Sequence, residues 1–244
     1  MNLRFSILAL LFTAIACEPI GTQDDALDPD ALFDQKPVRS EGWEVEGQSS
    51  ARYDGLNLST TPTSQSDGLS QQELSINNVR MTKKIVALSG QESGTLRLQF
   101  NLPKIAQSGL RFELSFLTGL GLASEVRLTQ TGLTAKCGSL NLNDGLASAS
   151  ASKVLEARVD YEIRILREAS KMSVLLDDEV LIKDLACTGL QNVTDDPRSF
   201  GSVSMVLYSQ VPSEPLTWTA ADMLLHESQF LVKRITVYKD LVIE

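Results

Sequence analysis

Residues 160–184 read DYEIRILREASKMSVLLDDEVLIKD. Tyr161, Ile163 and Ile165 alternate with Asp160, Glu162 and Arg164. Successive strand side chains point to opposite faces, so a period of two predicts a strand with one buried face and one wet face. Residues 168–171 interrupt that pattern with polar side chains, and Met172, Val174 and Leu176 resume it. Asp177-Asp178 supplies a second turn, because short Asp side chains tolerate left-handed backbone and bond to their own main chain. Neither turn has the Gly that two-residue hairpins favour, so each is expected to take about three to five residues. The stretch is therefore two strands and the start of a third, folded back on themselves.

The same alternation recurs on both sides. Leu96, Leu98 and Phe100 alternate with Thr95, Arg97 and Gln99. Phe112, Leu114 and Phe116 alternate with Arg111, Glu113 and Ser115, and Val126 and Leu128 with Glu125, Arg127 and Thr129. Gly90, Gly94, Gly109, Gly119 and Gly121 punctuate these runs, and Val203, Met205 and Leu207 repeat the pattern after Gly201. In residues 231–238, Ile235 and Val237 point inward and Arg234, Thr236 and Tyr238 outward, with an irregularity that suggests a bulge. Upstream, Trp43 and Val45 open a strand, and residues 52–58 (RYDGLNL) read as turn then strand. Residues 60–68 read as a polar loop, and residues 71–89, with Leu74, Ile76 and Val79, fit either a strand or a short helix. Many strands at near-regular spacing, without a long helix or a repeat, predict an all-β sandwich or barrel rather than an α/β fold.

The chain has 244 residues and opens MNLRFSILALLFTAIAC. Arg4 gives a positive start, and residues 5–16 form an apolar run too short to span a bilayer as a helix. Ala14-Ile15-Ala16-Cys17 then resembles a bacterial lipoprotein signal, with Ala14 where Leu is usual. The resemblance implies cleavage before Cys17, a diacylglyceryl group on its thiol and acylation of the new amine. More than one acyl chain holds a protein on a membrane. Glu18 follows the cysteine in place of the Asp that favours inner-membrane retention in enteric-type bacteria, which implies the outer membrane of a bacterial cell envelope. The expected organisation is a signal peptide over 1–16, a lipidated acidic tether over 17–39 and a β-sandwich over 40–244.

The net charge is −9. Residues 18–38 carry six acids against Lys36 alone, so about half of that charge sits in the tether, which also holds Pro19, Pro29 and Pro37. No basic cluster offers a footprint for nucleic acid. Two cysteines, Cys137 and Cys187, follow the signal, and an even pair in an exported chain suggests a disulfide. Closing that loop would contribute about 4 kcal/mol in the chain-entropy account. Two free thiols are the alternative. A closed zinc site needs four ligands, and His226, the single histidine, cannot complete one.

The run from Trp43 through the central hairpin to FLVKRITVYK at 230–239 resembles the concanavalin A-like lectin/glucanase superfamily, laminin-G-like jelly rolls included. The resemblance implies two antiparallel sheets of about six strands each, a last strand returning beside the first, and glycan binding on a concave face or its rim. Glucanases of that superfamily carry an E-x-D-x-x-E strand. Residues 156–162 (EARVDYE) approach it with the wrong spacing. Asp160 and Glu162 share one strand face about 7 Å apart, the range for paired-carboxylate hydrolysis. Arg158 and Arg164 interleave with them and would keep both ionised, which suits a solvated face rather than a general acid.

Other chemistry is sparse. There is no G-x-S-x-G elbow and no Gly-rich phosphate loop, and His226-Glu227 lacks the second His of a zinc-protease motif. Asp144, Asp195 and Asp196 fall in loops, where laminin-G-like domains can hold Ca²⁺, yet no run supplies six or more oxygens. Trp218, Tyr208 and Tyr238 are candidate sugar platforms, and Trp43 reads as core. The expectation is a non-catalytic envelope lipoprotein with no cofactor, anchored to the membrane by lipid, whose sandwich recognises a glycan or an envelope protein. A divergent glycoside-processing enzyme and a structural or assembly partner are its rivals.

Overall fold

The central hairpin forms as the alternation demands. In a computed structural model of the chain, strands Asp160–Arg167 and Lys171–Leu176 pair antiparallel, and Glu179–Ala186 follows on the far side. Tyr161, Ile163, Ile165, Met172, Val174 and Leu176 are all buried. The structure describes residues 28–60, 63–66, 72–75, 78–88, 91, 93–118, 122–139, 146–168, 170–187, 201–209 and 224–242. The expected signal peptide, Cys17 and most of the tether lie outside them.

Seventeen strands are described. In chain order they are β1 Phe33–Gln35, β2 Glu44–Glu46, β3 Gln48–Arg52, β4 Gly55–Ser59, β5 Thr63–Ser66, β6 Gln72–Ser75, β7 Val79–Lys84, β8 Gly94–Lys104 and β9 Arg111–Leu117. There follow β10 Leu122–Thr129, β11 Gly132–Ser139, β12 Ala147–Ser152, β13 Asp160–Arg167, β14 Lys171–Leu176, β15 Glu179–Ala186, β16 Ser202–Leu207 and β17 Gln229–Tyr238. One sheet has eight strands in the order β15-β14-β13-β8-β17-β4-β3, with β1 also on β17; the other has seven, β12-β11-β10-β9-β16-β7-β2. Every pairing is antiparallel. The sheets are wider than the six strands each that were expected. Part of the excess is β12, whose ASASAS gives little apolar contrast, and β1, which lies in the supposed tether.

The two sheets close on one core. Phe100 and Phe230 from the eight-stranded sheet stack at 4.7 Å, and Phe112 from the seven-stranded sheet stacks on Phe230 at 3.8 Å. At one edge Cys137 of β11 is bonded to Cys187, just past β15, with a Cα–Cα distance of 5.0 Å. The disulfide thus ties one sheet to the other.

Three expectations are corrected. Leu176 pairs with Glu179, so the Asp177-Asp178 turn has two residues, not three to five. Both take positive φ, 48° and 66°, as a type I′ hairpin requires. Asp177 offsets that cost by accepting from the Glu162 amide at 2.8 Å, and Asp178 by binding Arg164. The turn at the other end does span four residues, between the paired Arg167 and Met172.

The domain also begins earlier than Ser40. Phe33–Gln35 pairs with β17, the Asp34 carboxylate accepts from Arg234 at 2.6 and 2.9 Å and from Thr236 at 3.1 Å, and Val38 is fully buried. Asp28 and Asp34 are engaged by Tyr238, Arg234 and Thr236 of the last strand, so part of the charge that reads as a solvated tether is structural. The supposed polar loop over 60–68 contains β5, which pairs with β6, and the ambiguous 71–89 region holds β6, β7 and a 3₁₀ turn at Val86–Leu88.

Candidate functional site

The outer face of the eight-stranded sheet collects the polar halves of β8, β13 and β17. Their registers place Asn101 opposite Asp160 and Gln99 opposite both Glu162 and Arg234. Glu162 accepts from Arg97 at 3.0 and 3.2 Å, from Gln99 at 2.9 Å and from Arg164 at 2.7 Å. Burial pushes its carboxyl up, but the donors from Gln99, Arg97 and Arg164 outweigh burial and hold it below the usual range. Asp160 behaves alike: burial raises it, and Lys233 at 2.9 Å and Asn101 at 2.6 Å bring it down.

Both carboxylates therefore stay ionised at neutral pH. A glycosidase general acid needs the opposite environment, a carboxyl held above its ordinary value. The cations that hold them come from Arg97, Arg164 and Lys233 rather than Arg158. Arg158 sits in left-handed backbone (φ 66°), and its amide donates to Leu102. Arg97 and Lys233 lie far away in sequence, on strands that only pairing brings alongside.

The rim beside Asp160 is made by the β3–β4 turn. Lys233 is the extra residue of a bulge in β17, between the pairs Val232–Phe100 and Arg234–Gln99. Bulges re-aim a side chain, and this one turns Lys233 toward Asp160 and, at 3.5 Å, toward Asp54 of the turn. Tyr53, next to Asp54, is 84% exposed. The sequence reading passed over it. Its signal was available: an aromatic between Arg52 and Asp54 in a turn has no core to enter.

The sequence candidates for a sugar platform fare differently. Tyr238 is buried, its hydroxyl donating to Asp28 at 2.7 Å, because the segment before β1 folds over the outward face of β17. Tyr208 is half-buried with the Arg111 guanidinium over its ring at 4.2 Å. Trp43 is in the core as expected, donating to Gln35 at 2.8 Å. Trp218, Asp144, Asp195 and Asp196 lie outside the described residues. His226 meets Ser108 at 3.1 Å, while Glu227 is buried and accepts from Lys104 and Gln229, both at 2.7 Å. Among the described residues no group of three or more His, Cys, Asp or Glu could hold a metal ion.

Two hollows lie on the surface of the described residues. On the seven-stranded sheet, Glu113, Glu125, Arg127, Thr134 and Lys136 line a dimple of about 10 Å³, the size of one water. On the eight-stranded sheet a groove of about 300 Å³ has Leu166, Leu175, Val180 and Leu241 in its lining. Its rim cation Lys171 is paired with Glu168 and Asp184 at 3.4 and 3.3 Å.

No protein-family model matches the chain, and no curated protein does. Solved structures do. The Crh5 transglycosylase is similar with a TM-score of 0.55 at 8% identity over 84% of this chain and 83% of that one. The carbohydrate recognition domain of Emp46p is similar with a TM-score of 0.52 at 9% identity over 82% and 89%. The fold is a concanavalin A-like jelly roll. A structure from work on endo-acting O-glycanases of the human gut microbiota shares it, with a TM-score of 0.54 at 13% identity over 86% of this chain and all of that one. A botulinum neurotoxin type C structure, studied for its interaction with two ganglioside molecules, matches with a TM-score of 0.50. This chain spans 43% of that one's length. Enzymes and recognition domains thus share the architecture, and the fold alone does not choose between them.

Proposed function

We propose that the chain is a non-catalytic, lipid-anchored protein of a bacterial cell envelope, held at the outer membrane, whose sandwich binds a glycan. The observation that carries recognition over hydrolysis is the state of Glu162 and Asp160. Glu162 accepts from three side chains and Asp160 from two, and each is held below its ordinary pKa. The fold supports a sugar as the ligand, since it is shared with a carbohydrate recognition domain and with a transglycosylase. The anchor rests on the sequence ending in Cys17.

A glycan array probed with the full chain, followed by an assay for released reducing ends, tests the first part. Binding without product formation is expected. Hydrolysis that disappears in the Asp160→Asn, Glu162→Gln double variant, with folding intact, would install the enzyme in its place. Fractionation of cells carrying Cys17→Ser tests the second: the variant is expected in the soluble fraction, and membrane retention would end the anchoring proposal.

A further inference from the structure

Tyr53 is the one aromatic ring among the described residues that packing leaves in water. The turn beneath it is built to hold still. Arg39 donates to three carbonyls of that turn, to Arg52 at 2.9 Å, Tyr53 at 3.2 Å and Gly55 at 3.3 Å. Gly55 lies so close to β17 that a Cβ there would stand 2.1 Å from the Val232 carbonyl oxygen. The bulge at Lys233 then links Asp54 of the turn to Asp160 at the start of β13, and Asn101 of β8 holds the other Asp160 oxygen. Strands β3, β4, β8, β13 and β17 thus converge on one exposed ring and one polar strip.

Resting on the recognition reading above, we infer that this corner is the glycan-binding platform and that its ligand is an uncharged pyranose chain. Tyr53 supplies the flat apolar surface on which the C–H face of a sugar ring stacks, a role suited to an amphipathic side chain at a wet interface. The preorganised turn removes the ordering cost that a mobile loop would impose on binding. The charge state picks the sugar class. Each cation at the corner already faces acceptors: Lys233 two carboxylates, Arg39 the turn carbonyls and Arg52 the Gln229 amide oxygen. Asp54 and Asp160 keep capacity toward solvent, at 47% and 65% exposed. Carboxylate oxygens accept from sugar hydroxyls and repel sulfated or uronic acid chains.

Isothermal titration of the full chain with cello-, xylo-, manno-, laminari- and chito-hexaose, and with heparin and polygalacturonate hexamers as anionic counterparts, tests this. At least one neutral chain is expected to bind, and the anionic ones more weakly. Tyr53→Ala is expected to lower that affinity at least tenfold with an unchanged melting temperature. Tyr53→Phe, which keeps the ring, should stay within threefold, and Asp160→Asn should lose at least fivefold. If Tyr53→Ala binds a sugar as the parent does, the platform is elsewhere and recognition itself still stands. If the anionic hexamers bind more tightly, the uncharged class is wrong. If no hexamer binds, recognition fails and this platform fails with it.

Discussion

At Glu162 four N–H donors reach one carboxylate, and at Asp34 an arginine and a threonine do the same work on the last strand. Both carboxyls, and that of Asp160, are held below their ordinary values. The sign follows. A depressed folded-state pKa gives stability that is complete above the unfolded value and is lost as pH falls through the folded one. The melting temperature is therefore expected to drop as pH falls below about 4.5, and Glu162→Gln should flatten that slope in a thermal melt series. Arg167 is the opposite case. It is fully buried, it contacts Cys187 and the Lys171 and Gly138 carbonyls, and its Nε has no partner. Burial pulls its pKa down to about 10, so the charged form costs stability at neutral pH and the cost eases as pH rises through that value. Replacing an uncompensated buried ion with an apolar side chain of similar volume stabilises, so Arg167→Met should gain about 1–3 kcal/mol in urea unfolding at pH 7. That gain should shrink above about pH 10.

At the scale of elements, contacts across the eight-stranded sheet decide more than local propensity does. Gly55 needs no left-handed backbone; it needs the absence of a side chain, because β4 lies against the Val232 carbonyl. Gly55→Ala is expected to cost about 2–3 kcal/mol through forced strand displacement, read as a lower urea midpoint. The short β1 is equally informative. A chain truncated to begin at Ser40 loses the β1–β17 pairing, the Asp34–Arg234 ion pair and the seal over Trp43. A loss of about 2–4 kcal/mol would lower the melting temperature of a domain this size by about 8 °C. A chain beginning at Asp28 should melt as the parent does, and equal melting of both truncations would return residues 28–39 to the tether.

Across the whole molecule, the disulfide joins the sheets at one edge while the Phe100, Phe230 and Phe112 stack joins them in the interior. Replacing both Cys137 and Cys187 by Ser opens a closure between residues 50 apart. It should reduce unfolding free energy by about 2–4 kcal/mol, measured by denaturant titration against the parent kept oxidised. The architecture places the candidate platform where the β3–β4 turn, the start of β13 and the bulge of β17 meet. That meeting depends on the return of the last strand between β8 and β4.

Period-two burial in β8, β9, β13, β14 and β16 was legible because each strand faces one core and water on its other side, and that contrast is written locally. The disulfide partners were legible because, of three cysteines, Cys17 reads as a lipidation site and Cys137 and Cys187 are then left to pair. β12 was not, because alternating Ala and Ser carry almost no hydrophobic contrast. Pairing between distant segments carries no local signal either. That Asp34 meets Arg234, 200 residues away, that Glu162 is held by Arg97 and Gln99, and that Lys233 bulges toward Asp54 and Asp160 follow from strand order and register. The chain's own letters set which faces are apolar; only the folded sheets set which charges neighbour one another, because Coulomb and hydrogen-bond partners are chosen by distance in space and not along the backbone.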